Sequence, residues 1–421
     1  MSDRRCFRGV RWSLTWLFCL LPAWAQAAQP GEVIDSQVLK TFSAQAMNAG
    51  LGDQRSYIGA ARCDVQLVDL TYATRGVHGE PATASAMLLL PEGEHCAGPY
   101  PLLGWARGTD TQRSSEQAQA LLASGDSALL AFFAAQGYAV VATDYLGLGR
   151  SDYRFHPYLH ADSEASAIID SMRAARHLSA TLGHPLSGKV LLAGYSQGGH
   201  AAMAAQRAME RDDAGEFDLV ASAPMSGPYA LSQTFRDSWS GTTAAGANAL
   251  APYLLAYALA GMQGVYGDIY QHPDQVFRPP WAALLDSDFP GPANLFDLLH
   301  RQALPAVTQI EQLRQPAFTR AFIDDPQNPF RQALARNDLL DWTPRTPTLL
   351  CGSQRDGVVA YANSQAAAAA FTARHAPVKL LDVSAQIPAD VDGVHVHTSA
   401  TAYLCLGAVR TQLFEPALGL R

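Results

Sequence analysis

The segment that most constrains the fold of this chain is residues 189–200, with the sequence KVLLAGYSQGGH. Residues 190–193 form a short apolar run typical of a buried strand, and the alanine-rich residues 201–209 predict a helix. Ser196 lies at the turn between them, here called the elbow, in the pattern Gly-x-Ser-x-Gly. A sharp strand-to-helix turn of this kind exposes the serine hydroxyl in a strained conformation, so the segment predicts a nucleophilic serine.

The neighbours of Ser196 fit this interpretation. Gly194 and Gly198 flank the serine at positions where a side chain would obstruct the turn. The N–H of Gln197 begins the helix and would point toward a developing oxyanion. The chain contains 33 glycines, so the bare pattern also fits an ordinary glycine-rich loop. The choice between the two depends on the rest of the chain.

Strand-like and helix-like segments alternate on either side of the elbow, which predicts an α/β fold with a mostly parallel sheet and helices on both faces. The predicted strands are 65–73, 81–90, 100–105, 138–143, 190–193, 219–223, 348–351 and 378–383. The predicted helices are 129–136, 163–182, 201–209, 360–373 and 398–413. Residues 28–60 are interpreted as an N-terminal arm of short helical pieces.

The alternation stops after residue 228 and resumes at residue 348. Residues 229–345 contain helical pieces broken by prolines and carry no clear strand. Within them, residues 241–267 have no charged side chain, but Pro252 and the dense glycine and alanine content disfavour a membrane span. We therefore predict a core formed by residues 28–228 and 346–421. Residues 229–345 would form an inserted helical cap, either fixed or mobile as a lid.

The N-terminus has the pattern of a secretory signal peptide. Four arginines precede the apolar run 14–21, which is too short to span a membrane, and Ala25-Gln26-Ala27 is a cleavage pattern. We predict that residues 1–27 are removed after Ala27 and that the protein is secreted or periplasmic; a retained membrane anchor is the alternative. Cleavage would remove four arginines and one aspartate, so the formal charge of −8 becomes −11. An acidic protein of this kind is a poor partner for nucleic acid.

Four cysteines, Cys63, Cys96, Cys351 and Cys405, would remain in the exported protein. An even number of cysteines in an oxidising compartment favours disulfides. We predict one bond between Cys63 and Cys96, across an early hairpin, and one between Cys351 and Cys405, from a late strand to the last helix. Four buried free thiols are the alternative. No pair has Cys-x-x-Cys spacing, which disfavours zinc and thiol redox chemistry.

A catalytic serine requires a histidine that accepts its proton and an acid that orients the histidine. In α/β-hydrolases the acid and then the histidine follow the serine, at the ends of later strands. Asp356 follows the predicted strand 348–351, although an ordinary turn aspartate would have the same surroundings. His397 directly precedes the last predicted helix, and His395 on the same loop is the reserve base. We predict the triad Ser196, Asp356 and His397.

An oxyanion on the substrate requires two backbone donors. The N–H of Gln197 is one candidate. The loop after the third predicted strand would supply the other, which indicates Gly108, with Thr109 as the next candidate.

Three further histidines are assigned no chemistry. His200 lies one turn into the helix after the elbow, where it would pack or cap. His156 and His160 have the i, i+4 spacing of metal ligands, but Pro157 and the lack of a third ligand disfavour a metal site. We predict no metal, and the chain contains no dinucleotide-binding Gly-x-Gly-x-x-Gly pattern.

Three motifs resemble those of α/β-hydrolases of the secretory lipase type, a group that includes fungal lipase A-like enzymes and bacterial exported esterases. These motifs are GYSQGGHAA at 194–202, DYLGLGRSD at 144–152 and HPYL at 156–159. The likeness extends over roughly residues 60–230 and 345–410. It implies the α/β-hydrolase fold with an inserted helical cap.

The resemblance also implies that Ser196, Asp356 and His397 are the catalytic triad. The chain departs from the pattern in one respect. Relatives often carry His-Gly-Thr in the oxyanion loop, whereas this chain has arginine, Arg107, before the glycine. The backbone donor survives this change, and the role of Arg107 stays open.

The expected function is that of a secreted serine hydrolase, an esterase or lipase that cleaves carboxylic esters through an acyl-enzyme on Ser196 without a cofactor. Its partner would be a small-molecule or lipid ester, with transient contact between the cap and a lipid surface and no obligate protein partner. A serine peptidase or acyltransferase on the same fold is an alternative, although the uncharged residues 241–267 favour an apolar acyl chain. A catalytically silent hydrolase-fold binding protein is the alternative outside enzymes.

Overall fold

The computed structural model describes residues 28–212, 215–240 and 247–420. The predicted signal peptide, residues 1–27, lies outside the described residues. The first six residues of the uncharged stretch 241–267 also lie outside them.

A nine-stranded sheet forms the centre of the described structure, in the order β1-β2-β3-β5-β4-β6-β7-β8-β9. Its strands are β1 Val33–Phe42, β2 Asp64–Arg75, β3 Pro81–Glu92, β4 Tyr100–Ala106, β5 Ala139–Thr143, β6 Leu186–Tyr195, β7 Asp218–Met225, β8 Thr348–Gly352 and β9 Val378–Asp382. The six strands from β5 to β9 in this order pair in parallel, and β1, β2 and β3 add an antiparallel edge. The predicted mostly parallel sheet is therefore confirmed.

The helices lie on both faces of the sheet and above it. They are α1 Ala44–Gly50, α2 Arg55–Ile58, α3 Gln117–Ser124, α4 Ala128–Phe132, α5 Ala161–Thr181, α6 Gln197–Arg211, α7 Leu231–Ser240, α8 Ala251–Tyr266, α9 Leu284–Ser287, α10 Leu295–His300, α11 Ile310–Leu313, α12 Pro316–Asp324, α13 Pro329–Arg336, α14 Ala362–Thr372, α15 Gly393–His395, α16 Ala402–Val409 and α17 Glu415–Leu418. Two π-helical turns, Val396–Thr401 and Arg410–Phe414, flank α16.

The sheet divides the core into two apolar clusters, because successive side chains of a strand point to opposite faces. In β3, Leu88 and Leu90 join the cluster that includes α5, α6 and α14. Met87 and Leu89 join the cluster that includes α3, α4 and α16. This alternation explains why the strands are apolar throughout: both faces are covered by helices.

Two elements depart from the sequence prediction. Residues 33–42 form the edge strand β1 instead of part of a helical arm, and residues 117–124 form a helix that the pattern does not mark. β1 lies at the edge of the sheet and most of its side chains are exposed. It therefore lacks the apolar run by which a buried strand is recognised.

The residues between β7 and β8 form a cap of short helices, α7–α13, and the part of them that the structure describes contains no strand. The cap has an apolar core of its own, which includes buried Trp239, Tyr257, Phe277, Phe322 and Phe330. Among the described residues, no single helix is long and apolar enough to span a membrane. One bent pair, 117–124 with 128–136, meets the length and composition test together at an angle of 85°.

Both predicted disulfides are confirmed. Cys63 bonds to Cys96 across the β2–β3 hairpin, and Cys351 on β8 bonds to Cys405 on α16. They close loops with sequence separations of 33 and 54 residues. By the chain-entropy estimate each restricts the unfolded chain enough to stabilise the fold by about 4 kcal/mol.

Candidate active site

The elbow forms where β6 ends at Tyr195 and α6 begins at Gln197. Ser196 between them has φ 61° and ψ −120°, a conformation that a residue with a side chain rarely adopts. Its backbone N–H donates to the carbonyl oxygen of Met225 on β7 at 3.0 Å. This hydrogen bond to the neighbouring strand stabilises the strained backbone of Ser196. The serine hydroxyl projects from the turn between β6 and α6.

Two glycines allow the elbow to be this tight. A Cβ on Gly194 would overlap the carbonyl oxygen of Gly198, and a Cβ on Gly198 would overlap the carbonyl oxygen of Ala106 at the end of β4. The start of α6 therefore lies directly against the end of β4. Only residues without a side chain permit this approach.

Ser196, His397 and Asp356 form one chain of hydrogen bonds. The Oγ atom of Ser196 lies 2.9 Å from Nε2 of His397, and Nδ1 of the same ring lies 2.7 Å from Oδ2 of Asp356. The side chains of His397 and Asp356 are 6% and 1% exposed, so both are shielded from water. This is the geometry in which an imidazole takes the serine proton while a carboxylate fixes its orientation.

The carboxylate of Asp356 is held by the loop that follows β8. Its Oδ1 atom accepts the N–H groups of Val358 and Val359, each at 2.9 Å, which leaves Oδ2 for His397. The side chain of Arg355 donates to the carbonyl oxygens of residues 387, 388, 389 and 391 at 2.8–3.0 Å. Arg355 therefore joins the loop of the acid to the segment that leads to the histidine.

The ring of His397 is positioned from two sides. The hydroxyl of Tyr195 donates to the carbonyl oxygen of His397 at 2.7 Å, and the two rings lie 5.2 Å apart. The disulfide from Cys351 to Cys405 ties the strand before the acid to the helix after the histidine. His395, the reserve candidate, points elsewhere: its ring is exposed and bonds to Asp392.

The two predicted oxyanion donors lie beside the serine. The backbone of Gly108 is so close that a Cβ built there would lie 3.5 Å from the carbonyl oxygen of Tyr195 and 4.0 Å from Cβ of Ser196. Gln197 is the first residue of α6, where an N–H has no acceptor within the helix. The backbones of both residues therefore lie close enough to Ser196 for an oxyanion hole, which needs two backbone donors at that place.

Arg107 anchors the loop that follows β4, residues 107–111, here called the oxyanion loop. Its guanidinium donates to Asp110 at 2.7 Å, to Asp144 at 3.3 Å and to both oxygens of Ser115. Burial raises the pKa of Asp144, and the charge of Arg107 opposes that rise. The residue that departs from the family pattern thus serves to anchor the loop that carries Gly108.

The cap is bonded to the same loop. The hydroxyls of Thr109 and Tyr158 lie 2.8 Å apart, and the ring of Tyr158 stacks on that of Tyr257 of α8 at 4.3 Å. The N–H of Gly291 in the cap donates to the carbonyl oxygen of Thr111 at 2.8 Å. The oxyanion loop is therefore held between core and cap.

A buried polar network, which the sequence pattern did not mark, lies below the elbow. The side chain of Gln197 bonds to Glu164 of α5 and to His156, and the other oxygen of Glu164 lies 2.7 Å from Nδ1 of His200. His200 also bonds to the carbonyl oxygen of Asn337 in the cap. Both ring nitrogens of His156 and of His200 thus bond to protein groups. Among the described residues, no cluster of three or more histidine, cysteine or acidic side chains is arranged to hold a metal ion.

Ser196 opens into a cavity of about 600 Å³ between core and cap. Most of its lining is apolar and includes Tyr158, Leu159, Phe235, Trp239, Leu254, Leu255, Val307, Ile310, Val358 and Val359. Polar residues, among them Gln233, Ser238 and Asn363, complete the lining. The site can therefore hold a largely apolar group next to an activated serine.

A family model for secretory lipases matches residues 112–286 of the chain. A search of curated protein sequences found no match. Among solved structures, the rice cell wall degrading esterase LipA from Xanthomonas oryzae is 48% identical, with a TM-score of 0.88. The match covers 92% of this chain and 99% of that chain.

Two more distant structures share the architecture. A putative hydrolase from Legionella pneumophila is 25% identical, with a TM-score of 0.76 and coverage of 91% of this chain and 98% of its own. Lipase A from Candida antarctica, in its closed state, is 17% identical, with a TM-score of 0.62 and coverage of 85% and 77%. This last likeness supports the fold alone.

The buried histidines predict a loss of stability in acid. Burial lowers the pKa of His156 and of His160 from 6.5 to about 4. Between these values the unfolded chain binds a proton on each ring and the folded chain does not. The free energy of unfolding therefore falls as the pH drops from about 6.5 to 4, by about 1.4 kcal/mol per pH unit for each histidine.

Urea denaturation of His160→Gln at several pH values checks this. The variant should lose about 1.4 kcal/mol per pH unit of the slope over that window. His177→Gln, which changes an exposed histidine on α5, the helix that follows His160, should keep the full slope. Equal slopes in His160→Gln and the unaltered protein would contradict the prediction.

Proposed function

Because the chain belongs to the secretory lipase family and is a carboxylic ester hydrolase, we propose that it works through an acyl-enzyme on Ser196. The observation that carries this proposal is the hydrogen-bonded chain from Ser196 through His397 to Asp356. A cavity that opens onto the serine and two adjacent backbone donors support it.

In the proposed first step, Oγ of Ser196 attacks the ester carbonyl carbon while Nε2 of His397 takes the hydroxyl proton. Asp356 stabilises the imidazolium through its bond to Nδ1. The N–H groups of Gly108 and Gln197 stabilise the negative oxygen of the tetrahedral intermediate. The intermediate collapses, His397 gives its proton to the alcohol oxygen, and the alcohol leaves. Water then attacks the acyl-enzyme with His397 as its base, and the acid is released.

The two histidines of the last loop give a matched test. Ser196→Ala and His397→Ala should each lower kcat/KM for p-nitrophenyl butyrate by at least about 10³-fold. His395→Ala should stay within about two-fold, because that ring bonds to Asp392 at the surface and has no part in proton transfer.

A fluorophosphonate probe should label the unaltered protein at Ser196, as read by mass spectrometry. Absence of labelling together with absence of ester hydrolysis would favour the silent binding protein. An active His397→Ala with an inactive His395→Ala would overturn the assignment of the base. Cleavage of peptides in preference to esters would favour the peptidase alternative.

Plant cell wall esters are a second candidate substrate class. The 48% identical relative is described as a rice cell wall degrading esterase. Polar residues that line the cavity beside the apolar ones, among them Gln233, Ser238 and Asn363, suit a substrate that carries oxygen atoms as well as an apolar part. Contact between the cap and a lipid surface stays a prediction.

Release of acid from rice cell wall material tests this class, with Ser196→Ala as the control for spontaneous hydrolysis. Ser238→Ala removes one hydroxyl from the partly buried polar lining of the cavity. It should raise KM for oxygen-rich wall esters about ten-fold, and leave KM for p-nitrophenyl butyrate within about two-fold. Equal effects on both substrates would count against recognition through this hydroxyl. Acyl-chain series above and below the solubility limit would separate lipase from esterase behaviour.

We propose further that residues 1–27 are a signal peptide that is cleaved after Ala27. The secretory family and the two disulfides support an extracellular protein. N-terminal sequencing of the protein recovered from the medium or periplasm of an expressing bacterium should begin at Ala28. A recovered protein that begins at Met1 and stays with the membrane would favour the retained anchor instead.

A further inference from the structure

The side-chain amide of Gln197 is clamped by two buried acceptors. Its Nε2 atom lies 2.9 Å from Oε1 of Glu164 and 2.8 Å from Nε2 of His156. Gln197 is 2% exposed and Glu164 and His156 are each 1% exposed, so water does not compete for these bonds. Both hydrogens of the amide group are therefore committed to protein partners.

The orientation of this amide is fixed by what its partners can accept. Nδ1 of His156 lies 2.8 Å from the carbonyl oxygen of Leu146, so Nδ1 carries the hydrogen and Nε2 accepts. Burial also keeps the ring neutral, because it lowers the pKa of His156 to about 4. A flipped amide would direct its oxygen at a carboxylate and at an imidazole lone pair, which is unfavourable. The side chain of Gln197 therefore has one stable position.

Glu164 is fixed in turn from the side of the cap. Its Oε2 atom lies 2.7 Å from Nδ1 of His200, and Nε2 of that ring lies 2.9 Å from the carbonyl oxygen of Asn337. Oδ1 of Asn337 accepts the N–H of Ala161, the first residue of α5, which carries Glu164. The carboxylate thus cannot shift without breaking bonds to both the core and the cap.

We propose that Glu164 is a positioning residue of the oxyanion hole, acting through the side chain of Gln197. This inference rests on the proposed function, which assigns the peptide N–H of Gln197 to the oxyanion. The N–H of the first residue of a helix has no acceptor within the helix. The peptide that carries the Gln197 N–H is held through the carbonyl oxygen of Ser196, which accepts from Gly199 at 2.9 Å and from His200 at 3.3 Å. Clamping the side chain of Gln197 adds a second restraint on the same residue. A buried carboxylate with a histidine partner is a weak source of stability, whereas its hydrogen bond fixes a group one residue from the nucleophile.

Four variants test the proposal through kcat and KM for p-nitrophenyl butyrate below its solubility limit. Glu164→Ala and Gln197→Met, which keeps the peptide N–H, should each lower kcat about ten-fold. This is less than the ~10²–10³-fold loss on removing a donor outright. KM should change by less than about two-fold. Glu164→Gln should recover most of kcat, because its amide oxygen can accept from Gln197 and its amide NH2 can donate to Nδ1 of His200, whose Nε2 hydrogen bonds to Asn337.

The combination of Glu164→Ala with Gln197→Met should lower kcat no further than either change alone, since both remove the same interaction. Asp170→Ala is the matched control. Asp170 is a buried carboxylate on the same helix that accepts from Thr74 and Arg173. Its removal should lower Tm without a change in kcat.

The proposal is overturned if the two changes multiply in the combined variant, or if Glu164→Ala lowers only Tm, as the control does. If Glu164→Ala does not fold, Gln197→Met decides: an unchanged kcat in that variant overturns the proposal, and a loss of kcat without a change in KM supports it. Fluorophosphonate labelling of the unaltered protein at Ser196 distinguishes a failure of the proposed function from a failure of the positioning role. An unlabelled, inactive protein sinks the proposed function, whereas a labelled protein with unaffected variants sinks only the positioning role.

Discussion

The contact on which the site depends is the approach of two backbones, where Gly198 at the start of α6 lies against Ala106 at the end of β4. That approach brings the N-terminus of the helix, the strained serine and the loop after β4 into one place. Gly108 follows Ala106 by two residues, so the contact that positions Ser196 also positions the proposed second oxyanion donor. The acid and the base then reach the serine from the ends of neighbouring strands, where open α/β sheets place their ligand sites.

The parts of the site that have a local sequence pattern could be predicted from the sequence. The elbow has a glycine signature, Asp356 follows an apolar strand, and both disulfides join predicted elements whose ends meet. The sequence favoured His397 but kept His395 in reserve, because two residues apart on a loop they differ mainly in which way the chain turns. The structure turns His397 toward Ser196 and His395 toward Asp392.

Tertiary contacts account for most of what the sequence did not reveal. Glu164 is one polar residue on an amphipathic helix, and its role depends on Gln197 and His200, which are 33 and 36 residues away. Arg107 departs from the family pattern, and the sequence did not indicate its role. In the structure it bonds to the carboxylates around the loop. Most side chains of the edge strand β1 are exposed, so it has no continuous apolar run to mark it.

The attachment of the oxyanion loop to the cap has a consequence for substrate entry. Tyr158, stacked on Tyr257 of α8, bonds to Thr109, and Gly291 bonds to Thr111. A cap that swung open as one rigid body would have to break these bonds or draw the loop away from Ser196, and with it the proposed donor at Gly108. A smaller movement of segments that do not hold the loop would admit substrate while the α8 side of the cap stays in place. Opening and catalysis can then coexist, because such a gate would move within the insertion, whereas the proposed oxyanion donors Gly108 and Gln197 belong to the core.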